Sequence, residues 1–183
     1  GGALLRRALE EDRATGDLTT EALSLAAARA EARVEARRDG VWCEAGVVEE
    51  VFRLLGMSPR IAPSVPDGTA IRAGDIPLRI AGPAVPILAA ERTLLNLLQR
   101  LCGIATLTRA FVRACEGTGI AVSDTRKTMP GWRTLDRHAV RAGGGVNHRD
   151  DLGAMALVKR NHLRLGGLAA AAAAARLRRT LPP

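Results

Sequence analysis

The 183-residue chain is 47% hydrophobic and 25% charged, an ordinary balance for a globular protein, and its length admits one large domain or two small ones. No apolar run reaches the roughly 18 residues of a membrane span, and Gly1-Gly2-Ala3-Leu4-Leu5-Arg6-Arg7 lacks the apolar stretch of a secretory signal, so neither is expected. The net charge of +8 is uneven: residues 1–91 carry 11 basic and 14 acidic side chains, residues 92–183 carry 16 and 5, so the second half is built to face anions such as nucleic acid, phosphorylated metabolites or carboxylates.

Residues 2–12 are predicted to form a short amphipathic helix with Leu4, Leu5, Ala8 and Leu9 on one side. Asp17-Leu18-Thr19-Thr20-Glu21 follows, with Asp17 or Thr19 as the N-cap of a second short helix. Ala30 to Arg37 alternates with period two, which predicts a half-buried strand although Ala, Glu and Arg favour helix. Gly46 to Leu55 is a predicted helix that turns Val47, Val48, Val51, Phe52 and Leu55 toward a core. Pro59, Pro63, Pro66 and the turn Asp67-Gly68 then break the chain into short β segments around Ile71 and Leu78–Ile80. The stretch Asp67–Asp75 is superficially like half of a lipoyl or biotinyl hairpin, but no acceptor lysine lies near it.

A long helix is predicted from about Pro86 through Ala114, with Gly103 as the place for an interruption. Ile120-Ala121-Val122 is a predicted buried strand that delivers Ser123 to Thr128 into a loop. A helix near Thr134–Ala142 stops at Gly143-Gly144-Gly145, Leu152 to Val158 forms the next apolar strand, and an Ala-rich helix spans roughly Leu168 to Arg179. Strand, loop, helix, repeated, is the rhythm of a parallel sheet or (β/α) barrel, where chemistry sits at the C-terminal strand ends.

The rare residues gather there. Lys127 and Lys159 are the only lysines among 27 basic residues, and with His138, His148 and His162 they all fall between residues 127 and 162. A lysine kept where arginine otherwise serves suggests a need for a compact ammonium, although two surface lysines that escaped a compositional drift would look the same. Their places after the two predicted strands favour the functional reading. Three segments converge on the barrel mouth: Thr125-Arg126-Lys127-Thr128, Asn147-His148-Arg149, and Lys159 with Asn161-His162. They offer guanidinium forks, ammonium groups, imidazoles and hydroxyls, a cluster that needs anionic partners to offset its own repulsion. Cys43, Cys102 and Cys115 show no metal-ligand spacing and are expected to be reduced thiols, with no metal site.

Several of these segments resemble one family. Glu91-Arg92-Thr93 with Asn96, Leu97-Leu98-Gln99-Arg100 and Gly103-Ile104-Ala105-Thr106 are similar to the long helix of quinolinate phosphoribosyltransferases. Asp124 to Gly131 resembles their signature loop, Ala139 to Gly145 with Asn147-His148-Arg149 the next motif, and Val158-Lys159 with Asn161-His162 the one after. Gly16-Asp17-Leu18-Thr19-Thr20 fits as well, so the resemblance runs from near residue 4 to about 167.

The resemblance implies an α/β chain: an N-terminal α+β sandwich domain with its long connecting helix over residues 1–106, then the first βα units of an incomplete (β/α) barrel over 107–183. It implies condensation of quinolinate with phosphoribosyl pyrophosphate to give nicotinate mononucleotide, pyrophosphate and CO2 in NAD synthesis, in the cytoplasm, with Mg2+ accompanying the pyrophosphate. Arg126, His148, Arg149 and Lys159 are then expected to line the quinolinate pocket, with Thr125 and Lys127 beside them and Lys127 and Lys159 as the catalytic cations. Arg92 resembles the arginine that reaches the neighbouring subunit's site, so a homodimer is implied.

Two departures stand out. Arg160 follows Lys159 where the family places an acidic residue, and only two barrel strands are recognisable before Pro183, so a truncated or catalytically impaired member that binds polyanions is the first alternative. A nucleic-acid-binding module is the second, suggested by a pI of about 11.0 but opposed by 2% aromatic residues and no Tyr. A related molybdenum-transport-associated family shares the fold, but Asp124–Thr128 and Asn147–Arg149 fit the phosphoribosyltransferase better. No nucleic-acid or membrane partner is expected.

Overall fold

A computed structural model describes residues 2–181; Gly1, Pro182 and Pro183, which belong to the two expected domains, lie outside the described residues. The chain divides into two compact units, Gly1–His148 and Arg149–Pro183. The first contains α1 (Gly2–Glu11), α2 (Leu18–Ala22), β1 (Arg29–Val34), β2 (Gly40–Val41), α3 (Val47–Leu54), β3 (Arg60–Pro63), β4 (Ala70–Ile71), β5 (Leu78–Pro83), α4 (Ala84–Ala114) and α5 (Arg133–Ala142). The second contains α6 (Arg160–Gly166) and α7 (Ala170–Thr180).

Asp17 caps α2 by accepting from the Thr19 and Thr20 amides. The period-two pattern prevails over helix propensity in β1, where Arg29, Glu31 and Arg33 face out and Ala30, Ala32 and Val34 face in. β5 is the central strand of an antiparallel sheet in the order β1-β5-β3, with Ala32 and Ile61 both opposite Ile80. β2 and β4 form a separate antiparallel pair. The core between these layers comes from Val47, Val48, Val51 and Phe52 of α3, Leu78 and Ile80 of β5, and Leu94, Leu97, Leu98 and Leu101 of α4. Each such side chain contributes about 1.5–3 kcal/mol when it leaves water. The α/β class and the N-terminal α+β sheet domain therefore stand as expected.

α4 runs unbroken for 31 residues, straight through Gly103. Pro86 is tolerated because it lies in the first turn, where amides lack intrahelical partners in any case. Two devices lock α5 to it. Arg100 makes a bidentate ion pair with Asp136, both contacts at 2.9 Å, while its guanidinium lies 4.7 Å over the Trp132 ring. Arg109 donates to the Ala142 and Gly143 carbonyls and so satisfies the C-terminal end of α5. The triple glycine is a packing feature and not merely a helix stop: a Cβ on Gly143 would sit 2.5 Å from the Ala105 carbonyl oxygen and 2.6 Å from Thr108 Cβ.

Several predicted elements differ. The Ile120–Val122 strand is reduced to one parallel bridge, Ser123 with Val146, and Ile120 is exposed. Without a second neighbour a parallel strand has neither a full ladder nor cover on both faces. Leu152 to Val158 forms no strand: Asp151 Oδ1 accepts from the Gly153 and Ala154 amides and folds the run into an exposed turn. A short apolar run identifies a buried strand only if a partner strand is there to pair with it. Arg160 to Gly166, between the predicted strand and the Ala-rich helix, is helical.

The glycines give a paired prediction. Gly143→Ala should lower stability by about 1–3 kcal/mol through overpacking, whereas Gly103→Ala, whose Cβ meets nothing within 4 Å, should raise it by about 0.5–1 kcal/mol. Urea unfolding at fixed pH measures both.

Candidate functional site

The first unit builds a cationic loop around one buried ion pair. Arg137 on α5 and Asp124 lie 3.2 Å apart, with side chains only 8% and 4% exposed. Such a pair is stable only when its remaining polar valences are filled. They are. Asp124 Oδ1 accepts the His148 amide at 2.7 Å, and Arg137 Nη2 donates to the His148 carbonyl at 2.8 Å. With its amide oriented to suit its neighbours, Asn147 donates to Asp124 Oδ2 at 3.0 Å and to the Arg137 carbonyl at 3.1 Å, while its oxygen accepts from Arg141 Nη1 at 2.6 Å. The bridge between Ser123 and Val146 adds two main-chain bonds, Val146 N–H to Val122 and Asp124 N–H to Val146.

Thr125, Arg126 and Lys127 begin one residue past this clamp. The Lys127 amide donates to Thr125 Oγ1 at 3.1 Å, and Arg133 Nε donates to Thr128 Oγ1 at 3.3 Å, which fixes both ends of the turn. Arg133, Arg137 and Arg141 thus form a stripe at intervals of four along α5. They hold Thr128, the Asp124–His148 clamp and Asn147 respectively. Arg126 Nε is buried and has no hydrogen-bond partner among the described residues. Arg92, Arg126, Lys127 and Lys159 make no ion pair among the described residues. A buried guanidinium N–H without a protein acceptor can take one from an anionic ligand.

Of the predicted site residues, Thr125, Arg126, Lys127 and His148 belong to the first unit, and the clamp holds the loop of the first three beside the backbone of the fourth. Arg92 is exposed on α4. Arg149 and Lys159 belong to the second unit, where both line a cavity of about 500 Å3 with His162, Arg176, Val158 and Leu177. Arg149 is 8% exposed and donates to the Met155 carbonyl at 2.9 Å. The Lys159 amide donates to His162 Nδ1 at 3.0 Å as α6 begins. The positioning residues Arg133, Arg137 and Arg141 were not singled out from sequence, although their four-residue spacing on a predicted helix was a usable signal.

Two family models cover nearly the whole chain: quinolinate phosphoribosyl transferase, N-terminal domain, over residues 17–102, and its C-terminal domain over 104–182. The chain belongs to the quinolinate phosphoribosyltransferase family. It is 41% identical over 160 residues to the probable nicotinate-nucleotide pyrophosphorylase (carboxylating) of Bacillus subtilis, which takes in 87% of this chain and 55% of that protein. It is 43% identical over 164 residues to the nicotinate-nucleotide pyrophosphorylase (carboxylating) of Mycobacterium leprae, 87% of this chain and 57% of that one. The crystal structure of NadC from Streptococcus pyogenes matches with a TM-score of 0.88 and 35% identity, over 96% of this chain and 62% of that chain. The chain thus spans little more than half the length of the curated relatives it matches. These matches favour the phosphoribosyltransferase reading over a nucleic-acid-binding module.

Removing one member of the buried pair leaves the other charge uncompensated. Arg137→Met should cost about 3–5 kcal/mol in chemical denaturation, far more than a surface arginine such as Arg37, which is replaced at little cost.

Proposed function

We propose that this chain supplies the cationic, substrate-recognising part of a transferase that condenses quinolinate with phosphoribosyl pyrophosphate to nicotinate mononucleotide, pyrophosphate and CO2. The observation that carries the reading is Arg126: its buried Nε lacks a protein acceptor and sits in the same turn as Lys127. Quinolinate brings two adjacent carboxylates, which suit a guanidinium fork next to a mobile ammonium. Family membership supports giving Arg149, Lys159 and His148 the same substrate, with Thr125 beside them and Lys127 and Lys159 as the catalytic cations.

The chemistry asks little of nucleophilic side chains. The pyridine nitrogen forms a bond to the ribose carbon as the C–O bond to pyrophosphate breaks, and the departing oxygen takes that electron pair. The ring carboxylate next to the new bond leaves as CO2, and the carbon it leaves takes up a proton. The residual carbanion lies next to a cationic ring nitrogen, which stabilises it. Fixed cations hold the carboxylates and the leaving pyrophosphate in place, and the clamp beside the Thr125–Lys127 turn limits how far that turn must reorganise during reaction.

Mg2+ is proposed only as a companion of the pyrophosphate, since its oxygen ligands commonly come from substrate phosphates and water. The described residues beside Thr125–Lys127 do not form a carboxylate cage for it: Asp124 is engaged by Arg137, Asn147 and His148. A homodimer is supported by the outward face of α4, where Arg92 shares exposure with Leu88, Leu107 and Phe111, the last two 61% and 57% exposed. Three free cysteines support a reducing, cytoplasmic setting.

Calorimetric titration of the 183-residue chain with quinolinate tests the site. Binding is expected, with Arg126→Ala weakening it by about tenfold or more. An absence of quinolinate binding would sink the assignment, and binding without nicotinate mononucleotide formation would leave a ligand-binding protein and not a transferase. For the dimer, Leu107→Asp with Phe111→Asp should reduce the sedimenting species from two chains to one.

A further inference from the structure

Away from that loop, three different metal-ligand chemistries meet at one point of the first unit. Cys43 Sγ, a carboxylate oxygen of Asp67 and a ring nitrogen of His138 all lie within 4.8 Å of one another. His138 Nε2 is 2.6 Å from Asp67 Oδ2, and Cys43 Sγ donates weakly to the same oxygen at 3.9 Å. The three sit after β2, between β3 and β4, and on α5, so no spacing in the sequence announces them.

The carboxylate is held ready. The Glu44 amide donates to Asp67 Oδ1 at 2.7 Å and the Ala45 amide to Oδ2 at 3.0 Å, from a turn whose Ala45 and Gly46 have positive φ of 52° and 69°. Outer hydrogen bonds of this kind fix a ligand's orientation before a metal arrives. A neighbouring carboxylate is also left unsatisfied. Glu44 Oε2 is buried without a hydrogen-bond partner among the described residues. The pocket gathers a thiol, an imidazole and two carboxylates, more electron-pair donors than its hydrogen bonds use. His138 is 36% exposed at its side chain, whereas Cys43 is fully buried.

We propose that Cys43, Asp67 and His138 form a binding site for a borderline-soft divalent metal, with Zn2+ as the occupant and a water as fourth ligand. Thiolate, imidazole and carboxylate together suit Zn2+ or Co2+, whereas Mg2+ and Ca2+ take oxygen ligands. Binding breaks the Cys43 S–H bond, releases that proton to solvent and leaves the sulfur electron pair on the metal. Nε2, the ring nitrogen that faces Asp67, is the one that would bind the metal, with the imidazole proton then on Nδ1. The metal then ties the turn after β2 and the Asp67 turn to α5, the helix that carries the arginine stripe.

The test is titration of the reduced, chelator-treated 183-residue chain with Co2+ and then Zn2+. One equivalent of Co2+ should produce a thiolate-to-metal charge-transfer band, Zn2+ should displace it, and Zn2+ should raise Tm because it binds the folded state. Cys43→Ser should abolish the band. His138→Gln, at a partly exposed position that opens no core cavity, should fold normally by circular dichroism yet weaken binding by about a hundredfold. Cys115→Ser and His162→Gln should bind as wild type. No charge-transfer band at one equivalent, a band that survives Cys43→Ser, or wild-type affinity in His138→Gln would each overturn the proposal.

Discussion

Taking Asp124 and Arg137 out of water is the constraint around which the cationic loop is organised. A buried carboxylate and guanidinium repay their lost hydration only if every remaining donor and acceptor is used, and here the fillers are the main chain of His148 and the amide of Asn147. The requirement that satisfies the pair therefore also fixes two loops far apart in sequence. Asp124 precedes the turn of Thr125, Arg126 and Lys127, and Asn147 and His148 end the segment that follows α5. Charge neutralisation is spent inside the clamp, so the cations just beyond it remain uncompensated.

α5 can carry this clamp because α4 holds it closely. Gly143 lets the two backbones approach at the Ala105 carbonyl, Arg109 closes the C-terminal end of α5, and Arg100 bridges to Asp136 under the face of Trp132. Leu88, Arg92, Leu107 and Phe111 of the same helix stay exposed. A single long helix thus places the loop from within and presents Arg92 outward.

The parts of this arrangement that are written locally could be read from the sequence. The Asp17 cap, the alternation of β1, the amphipathic faces of α3 and α5 and the signature loop from Asp124 are all short-range patterns. What could not be read depends on partners distant in the chain. Leu152 to Val158 has the composition of a strand, but the turn organised by Asp151 prevails where no neighbouring strand pairs with it. β2 and β4 are two residues each, too short for periodicity to register. The Cys43, Asp67 and His138 grouping obeys no spacing rule, because three separate elements supply it. The arginine stripe was visible as a four-residue interval, but only the fold shows that its members reach the Asp124 and Asn147 loops.

The lone bridge between Ser123 and Val146 has a practical bearing on how the protein behaves in solution. Two main-chain bonds hold it, and both Ile120 and Val146 beside it are exposed apolar side chains. Extended apolar backbone of this kind can accept a further strand, including one from another copy of the same chain. Self-association through it is the failure to watch for in concentrated samples. Solubilising changes belong on that edge, at Ile120, where a lysine would blunt pairing without touching the clamp.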